Sequence, residues 1–134
     1  MPARAATPPV ALLCAAAAGA AVELLVGFAT GRREAWDSPA YWMAGYPALI
    51  VVAAALGALW PAGAWRLGFV APIAQVLTMM LRNGAGSLWP LGLLYGAVLG
   101  VPCSIAANAG RRMRGRPAAG GAAANPDADS LGEP

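Results

Sequence analysis

The chain has 134 residues, of which 59% are hydrophobic and only 11% are charged. About a quarter of the residues of a soluble domain are charged, so this composition excludes an ordinary globular domain and indicates a membrane protein. The formal net charge is +3, and every basic residue is an Arg.

The chain contains no His and only two Cys. A His-ligated metal ion, a haem held by His and a Ser-His or Cys-His nucleophile are therefore excluded. Two Cys residues alone cannot form a disulfide framework or a structural zinc site. General acid-base chemistry could fall only to Glu23, or to Glu34 and Asp37. We therefore expect no metal, no cofactor and no catalytic residue, and favour a non-enzymatic protein.

The first apolar segment covers residues 10–30, after a short tail of residues 1–9, and contains one acidic residue, Glu23. About 20 apolar residues in a helix span a hydrocarbon core about 30 Å thick. The alternative is a secretory signal peptide, but the run continues to Thr30, beyond the usual length of such a segment. An ionisable residue inside a span is by default a candidate functional site.

Three further apolar segments follow, at residues 40–60, 64–82 and 88–108. Ser38 and Pro39 precede the second segment and form a helix-start signal. The alternative to four spans is a smaller number with one re-entrant segment, of which the third is the best candidate. Four spans joined by short turns predict an all-α integral membrane protein, folded as a compact up-down bundle of four transmembrane helices.

The chain ends in a segment of different composition, residues 109–134. It begins with a cluster of Arg and continues rich in Gly, Ala, Pro and Asp without aromatic residues. Such a composition cannot bury enough apolar surface to fold, so we expect a basic and then disordered C-terminal tail.

The distribution of Arg predicts the orientation in the membrane. If both termini share one side, that side holds six Arg and the other holds Arg32, Arg33 and Arg82. Glu34 and Asp37 accompany the Arg pair in the first loop. The asymmetry favours both termini in the cytoplasm and these five charges on the periplasmic side. Because Ala, Gly, Pro and Arg have GC-rich codons, we expect the inner membrane of a GC-rich bacterium.

Small residues recur at four-residue spacing in the fourth segment, at Gly92, Gly96, Gly100 and Ser104. Residues four apart share a helix face, and small side chains let neighbouring helices approach closely in a bilayer. In the first segment, Gly19 and Gly27 flank Glu23 at the same spacing. These residues predict helix packing, either within one bundle or against a second copy or a larger membrane protein.

Each segment carries one long polar residue about 10 Å below the outer end: Glu23, Tyr46, Gln75 and Tyr95. An unpaired carboxylate in hydrocarbon costs several kcal/mol, so we expect the other three to donate to Glu23. Arg82 could line a path to solvent or pair with Glu34 or Asp37. Tyr41 is assigned to the interfacial aromatic belt. The four polar residues at this depth either lock the bundle together or form a solute or proton site open to the periplasm.

A chain of this length, with four spans and an acid in the first, resembles the small multidrug resistance transporters. The resemblance implies that Glu23 is a shared proton and cation site in a dimer. It covers size and spacing, and the charged loop RREAWD and the later helices depart from that family's pattern.

Two functions therefore follow from the sequence. The first is a non-enzymatic accessory or subunit protein that packs against a larger membrane protein through Gly92, Gly96 and Gly100. The second is a small proton-coupled transporter that acts as an oligomer, with Glu23 as the carrier acid. In both cases the lipid bilayer is the expected environment. Nucleic acid is not an expected partner, because the Arg cluster adjoins an apolar segment.

Overall fold

The computed structural model describes residues 6–84 and 89–115, which form four long helices and, within those ranges, no strand. The helices are α1 Pro9–Thr30, α2 Tyr46–Leu59, α3 Ala64–Asn83 and α4 Trp89–Arg114. A π-helical turn, Tyr41–Gly45, runs directly into α2, and a short 3-10 turn, Ala35–Asp37, lies in the preceding loop.

All four helices, with the π turn counted as part of the second, are long and apolar enough to cross a membrane. The prediction of an all-α, multi-pass membrane bundle is therefore confirmed. The third segment is one continuous helix of 20 residues. A helix of this length can span the hydrocarbon core, so the structure favours a span over a re-entrant segment. The predicted disordered tail falls on residues 116–134, which lie outside the described ranges.

The bundle has large apolar side chains on its outside and small ones inside. Phe28, Met43 and Leu81 are among the most exposed residues of the chain. The interior is built around fully or almost fully buried alanines: Ala11, Ala15, Ala53, Ala64, Ala71 and Ala107. In water such a surface would be an aggregation hazard, but in a bilayer Leu and Phe match the lipid tails. Small interior residues then allow the helices to pack closely.

The principal contacts do not follow the order of the chain. The most extensive ones join α3 with α4, α2 with α4, and α1 with α3, whereas the consecutive helices α1 and α2 contact each other much less. Glycines lie at each of these crossings. A Cβ at Gly19 would overlap the Ala71 carbonyl in α3, and one at Gly57 would overlap the backbone of Ala107 in α4.

The glycine stripe of α4 faces α3 within the same chain. A Cβ on Gly96 or Gly100 would press on Val76 or Phe69 respectively, and Gly92 lies beside Met80. Ser104 is buried where α4 crosses α3. The structure therefore places these small residues in intramolecular packing, which was one of the two arrangements that the sequence allowed.

The π turn precedes Pro47, and the proline explains it. Pro47 has no N–H, and its ring would clash with the carbonyl four residues earlier in a regular helix. The Tyr46 N–H donates to the carbonyl of Tyr41, five residues earlier, so the turn is wider at this point. This turn directs Tyr41 and Gly45 towards the interior, where both are buried.

The fourth helix ends at Arg114, six residues beyond the predicted end at Asn108, so the prediction that the tail begins at residue 109 is wrong. Ala and Arg are strong helix formers, and the single Gly110 does not stop the helix. Arg114 Nη1 donates to the carbonyls of Ala58 (2.9 Å) and Leu59 (3.2 Å). These carbonyls belong to the last turn of α2, where backbone acceptors lack helical partners.

Candidate functional site

Glu23 lies in the protein interior and is 0% exposed. Gly19 and Gly27, one turn on either side, remove the side chains that would hold α3 away. A Cβ at Gly27 would overlap the guanidinium of Arg82, as one at Gly19 would overlap Ala71. The small residues that flank the acid therefore bring α3 into contact with it.

Two side chains of α3 bind the two carboxylate oxygens of Glu23. Arg82 Nη1 lies 3.3 Å from Oε1, which makes an ion pair, and it also reaches the Glu23 backbone carbonyl at 3.5 Å. Gln75 Nε2 donates to Oε2 at 3.4 Å. Gln75 and Arg82 are seven residues apart, which is two helical turns on one face. The Arg82 guanidinium also lies 5.0 Å from the centre of the Phe28 ring.

Tyr41 completes this group by donating its hydroxyl to Gln75 Oε1 at 3.1 Å. Its side chain is fully buried, so the assignment of Tyr41 to an interfacial belt is wrong. The physical reason is the wider π turn, together with the 3-10 turn that folds Ala35 over this end of the bundle. We refer to Tyr41, Gln75, Glu23 and Arg82 as the Glu23 network.

Tyr46 and Tyr95 do not bind Glu23, contrary to the prediction. The Tyr46 hydroxyl donates to the carbonyl of Leu99 at 2.9 Å, and the Tyr95 ring packs edge-on against Trp36 with 5.2 Å between centroids. The prediction placed both tyrosines at the depth of Glu23 by counting residues, but equal depth does not mean equal facing. The principal neighbour of α1 is α3, so only residues of α3 and the turn before α2 reach the acid.

The loop between α1 and α2 is held in place by polar contacts of its own and with the end of α3. Trp36 Nε1 donates to Glu34 Oε2 at 2.7 Å, and Asn83 Nδ2 donates to the carbonyl of Arg33. Arg82 turns inward to Glu23 and does not pair with Glu34 or Asp37, which was one of the two roles that the sequence left open to it. The remaining charged residues of this loop are exposed: Arg32, Arg33 and Asp37.

No buried polar side-chain atom of the Glu23 network is left without a partner. Across residues 6–84 and 89–115, every buried side-chain nitrogen and oxygen has a hydrogen-bond partner. In the same part of the chain, no three His, Cys, Asp or Glu residues group as a metal site would require. The arrangement is therefore an ion pair whose carboxylate is buried and fully paired, whereas its Arg82 side chain is 23% exposed. Gln75 and Tyr41 are two neutral hydrogen-bonding groups behind it.

We expect Tyr41→Phe to destabilise the bundle by about 1 kcal/mol, because the change removes one buried hydrogen bond and leaves Gln75 Oε1 without a donor. Thermal unfolding in detergent measures the effect. The matched control is Tyr95→Phe, since the Tyr95 hydroxyl makes no hydrogen bond within residues 6–84 and 89–115. Equal melting temperatures for the two variants would contradict the role given to Tyr41.

The fold and the site define the class of protein: a four-span α-helical membrane protein with a buried Glu–Arg pair between its first and third helices. No family model, no curated protein and no solved structure matches the chain.

Proposed function

We propose that the chain is a non-enzymatic accessory protein of the bacterial inner membrane, and that the Glu23 network serves to hold α1, α3 and the turn before α2 together. The observation that carries this proposal is the complete internal use of the Glu23 carboxylate. One oxygen accepts from Arg82, the other accepts from Gln75, and the residue is 0% exposed.

A solute site needs donors or acceptors that are free to bind the solute. Gln75 uses its amide nitrogen on Glu23 and its amide oxygen on Tyr41. A ligand at Glu23 would have to break this arrangement, and removing one partner of a buried ion pair costs about 3–5 kcal/mol. The geometry therefore favours a structural role over a carrier role.

The partner of an accessory protein would have to bind elsewhere than first predicted. Gly92, Gly96 and Gly100 contact α3 of the same chain, so they do not offer a surface to a larger membrane protein. Copurification from native membranes in mild detergent tests the accessory role. We expect a larger membrane protein to copurify with the wild type in stoichiometric amount. The variant Glu34→Gln, which changes one side chain of a loop, should retain the same partner. Recovery of the chain alone, under conditions that preserve known membrane complexes, would contradict it.

A small proton-coupled transporter is the second candidate, and the position of Arg82 favours it. Its side chain is 23% exposed whereas that of Glu23 is fully buried, so the pair links the interior with the outer end of the bundle. Protonation of Glu23 would release the guanidinium towards solvent. Proton flux into vesicles that contain the purified chain, abolished by Glu23→Gln, would support this function and contradict the purely structural one.

We expect both termini to be cytoplasmic, because the end of the bundle near the termini carries Arg without acids among residues 6–84 and 89–115. A periplasm-dependent alkaline phosphatase fused after Ala35 should be active, and the same enzyme fused at Pro134 should be inactive. The reverse pattern would overturn the orientation.

A further inference from the structure

One end of the bundle has a strong and uncompensated positive charge. It holds the turn between α2 and α3 and the last turns of α4. Four exposed arginines lie there, which we call the basic end: Arg66, Arg111, Arg112 and Arg114. Within residues 6–84 and 89–115, all three acids lie towards the opposite end, where three arginines accompany them. The basic end therefore carries the excess charge of the described chain.

The arginines of α4 are held on an ordered helix. Because α4 continues six residues past Asn108, its last turns extend about 9 Å further along the helix axis. Arg114 ties this extension to α2 through the carbonyls of Ala58 and Leu59. The extension thus presents Arg111 and Arg112 at a fixed place directly beyond the apolar span.

Arg66 joins the same end from α3. Its guanidinium lies 5.5 Å from the centre of the Trp65 ring, and both residues are exposed. Indole rings favour the interface between hydrocarbon and water, so this pair marks headgroup depth. Ile105 and Met113, also exposed, provide apolar surface next to the arginines of α4.

We propose that the basic end binds anionic phospholipid headgroups, of which phosphatidylglycerol is a representative. A guanidinium donates two parallel N–H groups to phosphate oxygens, and basic groups beside membrane helices recognise such headgroups. The neighbouring Trp65, Ile105 and Met113 would contact the acyl chains of the same lipid. Soluble polyanions such as RNA share the phosphate chemistry but cannot use this apolar surface.

The test compares two matched double variants of the full-length chain, purified in detergent. Arg111→Gln/Arg112→Gln removes an adjacent exposed pair at the basic end, and Arg32→Gln/Arg33→Gln removes an adjacent exposed pair at the other end. Native mass spectrometry measures the affinity for added dioleoylphosphatidylglycerol and dioleoylphosphatidylcholine. We expect the first variant to lose about thirtyfold in affinity for phosphatidylglycerol, since each Arg near an anionic surface contributes about fivefold.

The second variant should bind phosphatidylglycerol as the wild type does, and Arg111→Lys/Arg112→Lys should retain most of the binding because the charge is kept. Raised salt should weaken the binding. Arg114 is left in place, because its removal would also delete the hydrogen bonds that join the last turn of α4 to the end of α2. Equal losses in the two Gln variants, equal affinity for phosphatidylcholine, or tighter binding of a single-stranded RNA oligonucleotide than of phosphatidylglycerol would overturn the proposal.

Discussion

Glu23→Gln is expected to lower the free energy of unfolding by about 3 kcal/mol, although the two side chains are nearly the same size. The substitution removes the negative charge that faces Arg82 at 3.3 Å and leaves the guanidinium without its counter-ion in a largely apolar setting. One amide oxygen remains to accept a hydrogen bond, but a neutral acceptor binds Arg less strongly than a carboxylate does. Thermal or denaturant-induced unfolding in detergent measures the change.

A double-mutant cycle separates the ion pair from other effects of the substitution. Arg82→Gln alone should destabilise by a similar amount, because it leaves the Glu23 charge unpaired. The double variant Glu23→Gln/Arg82→Gln should recover part of the loss, since two amides can pair with each other. Asp37→Asn, at an exposed acid of the loop between α1 and α2, is the isosteric control and should change stability by less than about 0.5 kcal/mol. A Glu23→Gln protein as stable as the wild type would show that the carboxyl is neutral in the bundle.

Gly57→Ala is expected to have the second large effect, with a loss of about 3 kcal/mol or failure to fold. The added Cβ would overlap the carbonyl oxygen, carbonyl carbon and Cα of Ala107. These are backbone atoms of α4 and cannot turn aside as a side chain can, so α2 and α4 would have to separate. Their separation would also disturb the Arg114 contact with the end of α2.

Gly92→Ala is the matched control, because it makes the same chemical change at another helix crossing. Its Cβ would lie 3.3 Å from Met80 Cε and 3.4 Å from Val76 Cγ1, which are the ends of side chains. Ala is also a better helix former than Gly by about 1 kcal/mol. We therefore expect Gly92→Ala to leave the melting temperature unchanged or to raise it. If both variants melt at the same temperature as the wild type, the close approach of α2 and α4 is wrong.

The sequence was sufficient for the helices and for one of the three partners in the Glu23 network, Gln75. Four apolar runs of spanning length predict the four helices directly. The spacing of Gln75 and Arg82 puts both on one face of α3, and Gly19 and Gly27 indicate the face of α1 that another helix can approach. These features depend only on helical periodicity, which local sequence determines.

The remaining errors concern how the helices face each other. Depth along a helix axis follows from counting residues, but rotation about the axis does not, so Tyr46 and Tyr95 were grouped wrongly with Glu23. The neighbour order α1–α3–α4–α2 is a tertiary property with no local signal. Tyr41 was missed because the wider turn before Pro47 alters which residues face inward. Pro47, six residues after Tyr41 and near the start of a helix, was the one signal in the sequence that could have suggested the wider turn.

The neighbour order of the helices has a consequence for synthesis. The chain leaves the ribosome from its N-terminus, so α1 and α2 enter the bilayer before α3 does. Because α1 packs mainly on α3, Glu23 reaches the membrane without Gln75 and Arg82, and the first half of the protein cannot shield its own acid. Translation of the third helix therefore completes the fold of the first, and a chain truncated before residue 75 would present an unpaired carboxyl group to the cell's membrane quality control.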